Sequence, residues 1–586
     1  MARSPLFRSL QRALSHAHAA NRLGLAPAAA AAALRTATAT ASAKPVEGGP
    51  SRRQFLGATL GAAALLPLAQ ACGDNLPLTD ERVAIIGAGM AGLHCAYRLH
   101  QAGLHAQVFE ASDRVGGRMY TGRGVLQGEQ LFEYGGELID TGHEVMHALA
   151  AEFGFALDDL VADGAGLRAD TYHFDGVVHE EAAIVAEFMP LAARMATAVT
   201  AAEADEAEFE RIDALSISAW LEVEGQLAPT SLIRRILERA YTGEYGLEAS
   251  EQSVFNLLYL IDYDAPEPFR IFGDSDERYH VHQGNDALVS RLAAEVADEV
   301  RLGHVLTRIA AEGVAPDVTY RLTFMTSTGA VEVEVDRVVL ALPFTTLRQI
   351  DLGAAGLPAE KLEVINNLGY GSNAKLMLQF STRTWRIQQQ AGGAALTDVG
   401  QLQQTWETSR GQAGAQGILT NYLGGQRGID VGAGTAEERA AEVVPWIDTV
   451  FPGAGAAYLA GTAVRQHWPT HPFTLGSYAC YTPGQWAYYG TEGTRVGNLH
   501  FCGEHTSEDF QGYMEGAAES GAMVAARILK DLGIDRPARL AALVDHKLAT
   551  LPYATYGLDA PDAARQPTRP LRRGARRTLA RRRDRR

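Results

Sequence analysis

Cysteine is scarce, with Cys72, Cys95, Cys480 and Cys502 the only four in 586 residues. So few in so long a chain build no disulfide framework, and none forms the C-x-x-C pair of a zinc site. Histidines and carboxylates show no metal-ligand spacing either, so no metal is expected. A convincing membrane span is also missing. Gln54–Ala71 is uncharged, but it is rich in Ala and Gly, is broken by Pro67, and at eighteen residues barely reaches spanning length. There is no internal repeat. Acidic residues are nearly absent from two stretches: residues 1–73 hold one Glu against eight Lys/Arg, and residues 565–586 one Asp against eleven Arg. With a net charge of −17, those ends (+7 and +10) leave −34 on the body. So acidic a body argues against nucleic acid as a partner and favours attraction of small cations.

The organised part begins near Glu81. RVAIIGAGMAGLHCAYRLHQAGLHAQVFEAS reads as strand, glycine-rich turn, amphipathic helix and second strand. In a turn of this kind Gly87 permits the tight bend, Gly89 lets a pyrophosphate approach the backbone, and Gly92 lets the helix pack closely. The helix N-terminus faces the phosphate charge, and Glu110, ending the second strand, accepts ribose hydroxyls. The complete unit makes a dinucleotide site a strong expectation, with NAD and FAD both open. Residues 317–342 read as alternating strands, 180–262 as mainly helical, and NLHFCGE near the end as a buried strand before a helix. No Ser/His/Asp or Cys/His nucleophile set is evident.

DRVGGRMYT at 113–121 adds a second glycine pair, Gly116-Gly117, beside Arg118. Here the chain resembles the flavin amine oxidase superfamily, and the resemblance continues in the family's order over roughly residues 80–530. It implies FAD, with Gly117 and Arg118 at the cofactor and Val305 of VRLGHVLTRI at the adenine. Glu504 of NLHFCGEHTS is implied at the ribityl–pyrophosphate region. GYMEGAAESG resembles a monoamine oxidase helix start, which places Met514 at the cofactor. GSNAKLMLQF resembles the segment whose lysine, here Lys375, holds a water near the flavin. Tyr478 and Tyr513 fall where the family builds two walls of an aromatic substrate cage.

Departures from the pattern carry expectations of their own. Monoamine oxidases tether the flavin through a cysteine just before the first cage tyrosine. Ser477 stands there, so FAD is expected to be non-covalent. Venom-type L-amino-acid oxidases place an arginine for the substrate carboxylate where this chain has Leu138. Glu137 beside it is a candidate for a cationic substrate group, with pairing to a neighbouring Arg or contact with the flavin the equal alternative. Arg270, Arg278 and Arg465 remain candidate carboxylate partners.

The expected fold class is α/β. A Rossmann-like FAD domain (parallel sheet plus β-meander) is drawn from 80–145, 280–345 and 495–535. A discontinuous α+β substrate domain is drawn from 146–279 and 346–494, with its helical part at 180–262. Residues 536–564 form an extension and 565–586 a basic, disordered tail. The expected activity is oxidative deamination of primary amines or L-amino acids, with oxygen or another electron acceptor. A flavin dehydrogenase using a quinone or protein acceptor, a desaturase on the same scaffold, and a non-catalytic flavoprotein are the alternatives.

Residues 1–72 have the character of an export signal with a long basic leading region. Ser51-Arg52-Arg53-x-Phe55-Leu56 resembles a bacterial twin-arginine signal, used by proteins that cross the membrane already folded. Ala69-Gln70-Ala71 is a small-x-small cleavage site, directly before Cys72. A periplasmic or extracellular enzyme is expected, either free or held at a membrane by a lipid anchor at Cys72. A homodimer stands among the expected partners.

Overall fold

The computed structural model of the protein describes residues 79–314 and 317–550; the signal-type segments, Cys72 and the tail at 565–586 lie outside the described residues. Val83–Ile86 and Arg337–Leu340 are short apolar runs buried along their whole length, as suits strands covered on both faces. They form the middle of a five-stranded parallel sheet ordered Leu499–Phe501, Arg337–Leu340, Val83–Ile86, Gln107–Phe109, Val300–Arg301. The α/β class expected from the sequence is the one observed.

Helices cover one face of this sheet. Met90–Gln101 and Met514–Asp531 meet there through small residues, and a Cβ on Gly521 would lie 2.2 Å from the carbonyl oxygen of Ala91. Backbones this close tolerate only glycine. The opposite face carries an antiparallel meander, Val305–Glu312, Thr319–Thr326 and Gly329–Val335, to which Asp351–Ala354 adds in parallel. Phe109 of the parallel sheet stacks on Phe324 of the meander, ring centroids 4.5 Å apart.

A seven-stranded sheet runs Val464–His467, Ala374–Phe380, Gly417–Leu423, Gln404–Glu407, Ala391–Thr397, Arg168–Phe174, Val177–His179. The fully buried strand Ala374–Phe380 shows how it positions the site. Side chains alternate across a strand. Ala374, Leu376, Leu378 and Phe380 join a core with Val443 and Ile447 of the helix Ala436–Val450. The other parity grips residues 126–137: Met377 packs with Leu126 and Phe132, Gln379 Nε2 donates to Gln127 O (2.8 Å), and Lys375 reaches Glu133 and Gly135.

Helices Glu181–Ala204, Glu206–Asp213, Ile217–Val223, Leu232–Tyr245 and Val254–Leu258 pack against one another, and Leu232–Tyr245 joins the group to this sheet. Among the described residues Glu181–Ala204 alone is long and apolar enough to cross a membrane. It buries Ile184, Phe188, Leu191, Met195 and Val199 in the protein core, which is reason enough for its composition.

Candidate active site

The glycine turn follows Val83–Ile86, and its three glycines differ in what surrounds them. Gly87 has φ +104°, and a Cβ there would meet Ala341 O at 2.7 Å. A Cβ on Gly92 would lie 2.0 Å from Gly87 O, whereas one on Gly89 would meet nothing within 4 Å. The first and third glycines are thus required by the protein itself, and the second faces open space. That is the pattern of a cradle kept clear for a ligand. The second glycine pair lies directly against the first: Gly116 N–H donates to Ala88 O (2.8 Å), and Gly117, at φ +56°, sits over Gly89. Arg114, which the sequence reading passed over, holds that turn by donating from Nη2 to Gly117 O (2.7 Å).

Glu110 accepts from Ala88 N–H (2.8 Å) and from the N–H and hydroxyl of Ser112 (2.9 and 2.8 Å). A carboxylate has about four acceptor sites, so capacity for ribose hydroxyls remains. Arg118 Nη1 donates to Glu504 Oε1 (2.9 Å) and to Ser477 O (2.6 Å), and Glu504 also takes Gly512 N–H (3.0 Å). One buried acid therefore ties the second glycine motif to the chain entering the Met514–Asp531 helix. That helix has Tyr513 as its N-cap with no side-chain hydrogen bond, leaving its positive end for another occupant.

These elements enclose a cavity of ≈ 400 Å³. Gly87, Gly89, Glu110, Gly117, Arg118, Val305, Glu504 and Met514 line it, as do Lys375, Tyr478, Tyr513 and Glu137. Gly92 does not; it is buried beneath the turn. Lys375, which alternation alone would assign to a solvent face, is 3% exposed. Its Nζ donates to Glu133 O (3.1 Å), Gly135 O (2.7 Å) and Glu137 Oε2 (2.8 Å). The other Glu137 oxygen takes the indole N–H of Trp406 (2.9 Å). Burial works to raise the Glu137 pKa, but the adjacent Lys375 cation and these hydrogen bonds outweigh it and hold the group below its ordinary range.

The two tyrosines converge on one residue that sequence reasoning missed. Tyr478 donates to Glu244 O, with Tyr422 OH 2.8 Å from its own hydroxyl, and Tyr513 donates to Glu244 Oε1 at 3.2 Å. Burial, with Asp140 nearby, pushes the Glu244 carboxyl up to about 7, against the Tyr513 hydrogen bond. Glu277 also lines the cavity, and burial followed by repulsion from Glu244 and Asp140 raises it to about 8. No local sequence signal marks Glu244 or Glu277, which lie 33 positions apart in unrelated segments.

None of the three arginines considered for a substrate carboxylate lines the cavity. Arg270 pairs with Asp262, and Arg278 with Asp159 (2.6 Å). Arg465 donates to the carbonyls of Val431, Ala433 and Gly434. Among the described residues no cysteine lines the cavity either: Cys95, Cys480 and Cys502 are buried elsewhere, and Ser477 Oγ donates to Asn373 Oδ1 (2.6 Å).

Fold and site together are those of a dinucleotide-dependent oxidoreductase, and the two glycine motifs with the Met514–Asp531 helix are the elements that would hold FAD. Comparison with known proteins narrows this. Residues 90–529 match the flavin-containing amine oxidoreductases. A pseudooxynicotine dehydrogenase from a Pseudomonas species is 25% identical over 525 residues, covering 82% of this chain and 96% of its own. An L-amino-acid oxidase from Siganus canaliculatus is 25% identical over 483 residues, covering 79% and 88%. The solved cyclohexylamine oxidase from Brevibacterium oxydans IH-35A superposes with a TM-score of 0.65 at 23% identity, covering 78% and 100%. The chain belongs to the flavin-containing amine oxidoreductase family.

Proposed function

We propose that this enzyme oxidises amines, favouring substrates that carry positive charge and no carboxylate. One observation carries the reading: the substrate end of the cavity is lined by Glu137, Glu244 and Glu277, while Arg270, Arg278 and Arg465 are engaged elsewhere. The overall conversion is amine, oxygen and water to carbonyl compound, ammonia and hydrogen peroxide. Held non-covalently by the two glycine motifs, FAD would supply the redox chemistry as the acceptor of a hydride equivalent from the carbon that bears the nitrogen.

The chain's own residues bind, orient and manage a proton. Tyr478 and Tyr513 offer aromatic faces to an ammonium, an attraction of roughly 0.5–2 kcal/mol. An ammonium gives up hydride poorly, so a proton has to leave the substrate nitrogen. Glu244, raised to about 7 and bonded to both tyrosines, suits that task near neutral pH, because a general base works best when its pKa lies near the working pH. Glu137 has both oxygens occupied by Lys375 and Trp406, so Glu277, with no such pairing, is the better holder of a second cationic group. Lys375 orders Glu137 and the 133–135 backbone at the cavity wall.

Anaerobic mixing of the purified holoenzyme with a panel of monoamines, diamines, polyamines and the twenty amino acids tests this directly. Bleaching of the flavin by amines, fastest with diamines or polyamines, is expected. Bleaching by L-amino acids alone would sink the proposal. Peroxide formed in step with ammonia supports oxygen as acceptor; dye reduction with little oxygen uptake would transfer the reaction to the dehydrogenase class. We also propose export in the folded, cofactor-loaded state through residues 51–73, with intact mass of the mature N-terminus distinguishing lipid on Cys72 from a free thiol.

A further inference from the structure

Sequence spacing gave no hint of a metal site, yet among the described residues the fold assembles one set of groups able to act as ligands, far from the cavity. His100 lies in the last turn of the helix Met90–Gln101. Gly103 (φ +80°) then reverses the chain, its N–H donating to His100 O and that of Leu104 to Leu99 O, which returns His105 beside His100. The two imidazoles meet edge to face, centroids 4.7 Å apart. Glu299 arrives from a segment 194 residues further on and just precedes the strand Val300–Arg301. Its backbone is fixed by Val108 N–H donating to Glu299 O (3.0 Å).

We propose that His100, His105 and Glu299 form a binding site for a divalent transition-metal ion of the zinc type, held by the two Nδ1 atoms and Glu299 Oε1. Those three atoms lie within 4.8 Å of one another, with Oε1 at 2.8 Å from His100 Nδ1 and 2.7 Å from His105 Nδ1. Metal–ligand bonds of about 2.0–2.1 Å in tetrahedral array separate ligand atoms by about 3.3 Å, so an ion needs them to open by about half an ångström. The side chains can do so: Glu299 is 11% exposed and anchored, whereas His100 and His105 are 37% and 60% exposed and can swing. Two imidazoles and one carboxylate suit zinc and its neighbours better than calcium or magnesium, which prefer all-oxygen sites. The carbonyl end of the Met90–Gln101 helix also favours a cation there. Two of the ligands precede the N-terminal ends of Gln107–Phe109 and Val300–Arg301, while the glycine turn follows the C-terminal end of Val83–Ile86. The ion therefore sits at the opposite edge of the sheet from the redox site and acts as a pin between helix and sheet edge.

The experiment is equilibrium dialysis of tag-free, chelator-treated holoenzyme against micromolar Zn²⁺. One bound equivalent is expected, with affinity weakened by at least about tenfold in His105→Ala and in Glu299→Gln. Flavin content and turnover should stay unchanged in both. A zinc-dependent rise in melting temperature should accompany binding and vanish in His105→Ala, whose side chain is too exposed to threaten folding. No saturable binding at micromolar Zn²⁺, or equal affinity in wild type and His105→Ala, overturns the proposal.

Discussion

The buried pair of Lys375 and Glu137 makes the sharpest demand on the structure. Their side chains are only 4% and 6% exposed, and Nζ lies 2.8 Å from Oε2. Replacing Lys375 with Met leaves the Glu137 carboxylate in a buried site with only the Trp406 indole and the His280 charge to support it. The same change strips the donor from Glu133 O and Gly135 O. Removing one partner of a buried pair costs about 3–5 kcal/mol, most of it the uncompensated charge. With about 470 described residues, unfolding entropy makes one degree of melting temperature worth about 1 kcal/mol. Lys375→Met should therefore lower the melting temperature of the holoenzyme by about 3–5 °C. Loss of the cation leaves burial opposed only by the Trp406 hydrogen bond and the His280 charge, so the Glu137 pKa rises and the group can protonate. Glu137→Gln in the Lys375→Met background removes the stranded charge while keeping an acceptor for Trp406. At least half of the lost stability should return; the two orphaned carbonyls account for the remainder. Scanning calorimetry on wild type, both single variants and the double variant reads this out. Additive losses, or a Lys375→Met protein that melts within a degree of wild type, would refute the reasoning.

Other predictions rest on different parts of the site. Gly89→Ala places a methyl in open space, so it should leave the cofactor-free protein's melting temperature nearly unchanged while sharply lowering flavin content; Gly92→Ala drives a Cβ to 2.0 Å from Gly87 O and should lower both. Acid precipitation of the holoenzyme should release all the flavin into the supernatant, because none of the described cysteines lines the cavity; retention in the pellet would contradict this. Glu244 and Glu277, raised to about 7 and about 8, ionise as pH increases, so inhibition by a quaternary ammonium, whose own charge never titrates, should tighten between about pH 6 and pH 9. Glu277→Gln should flatten the upper part of that profile, and a pH-independent wild type would exclude both acids as the cation's partners. These two groups hold their protons more firmly when folded, so their linkage should make the cofactor-free protein less stable as pH rises from the ordinary carboxylate range through about 7–8.

The dinucleotide-binding unit and the family were legible in the amino-acid order alone. A strand, three spaced glycines, a helix and a terminal acid are local: Gly92 answers to Gly87 O five residues away and Gly87 to its own φ of +104°, while Gly89 is left facing open space. Lys375, Tyr478 and Tyr513 were legible only as positions in a family pattern. Alternation along Ala374–Phe380 cannot tell a solvent face from one pressed against residues 126–137, because both take polar residues. Which charges meet was left to tertiary structure. Glu137 is joined to Lys375 across 238 positions, Tyr513 to Glu244 across 269, and Glu299 to His100 across 199. The three arginines named as carboxylate candidates are instead drawn to Asp262, Asp159 and three backbone carbonyls. Electrostatic partnership depends on distance and burial in space, and a linear sequence encodes neither until the sheets have brought its distant segments together.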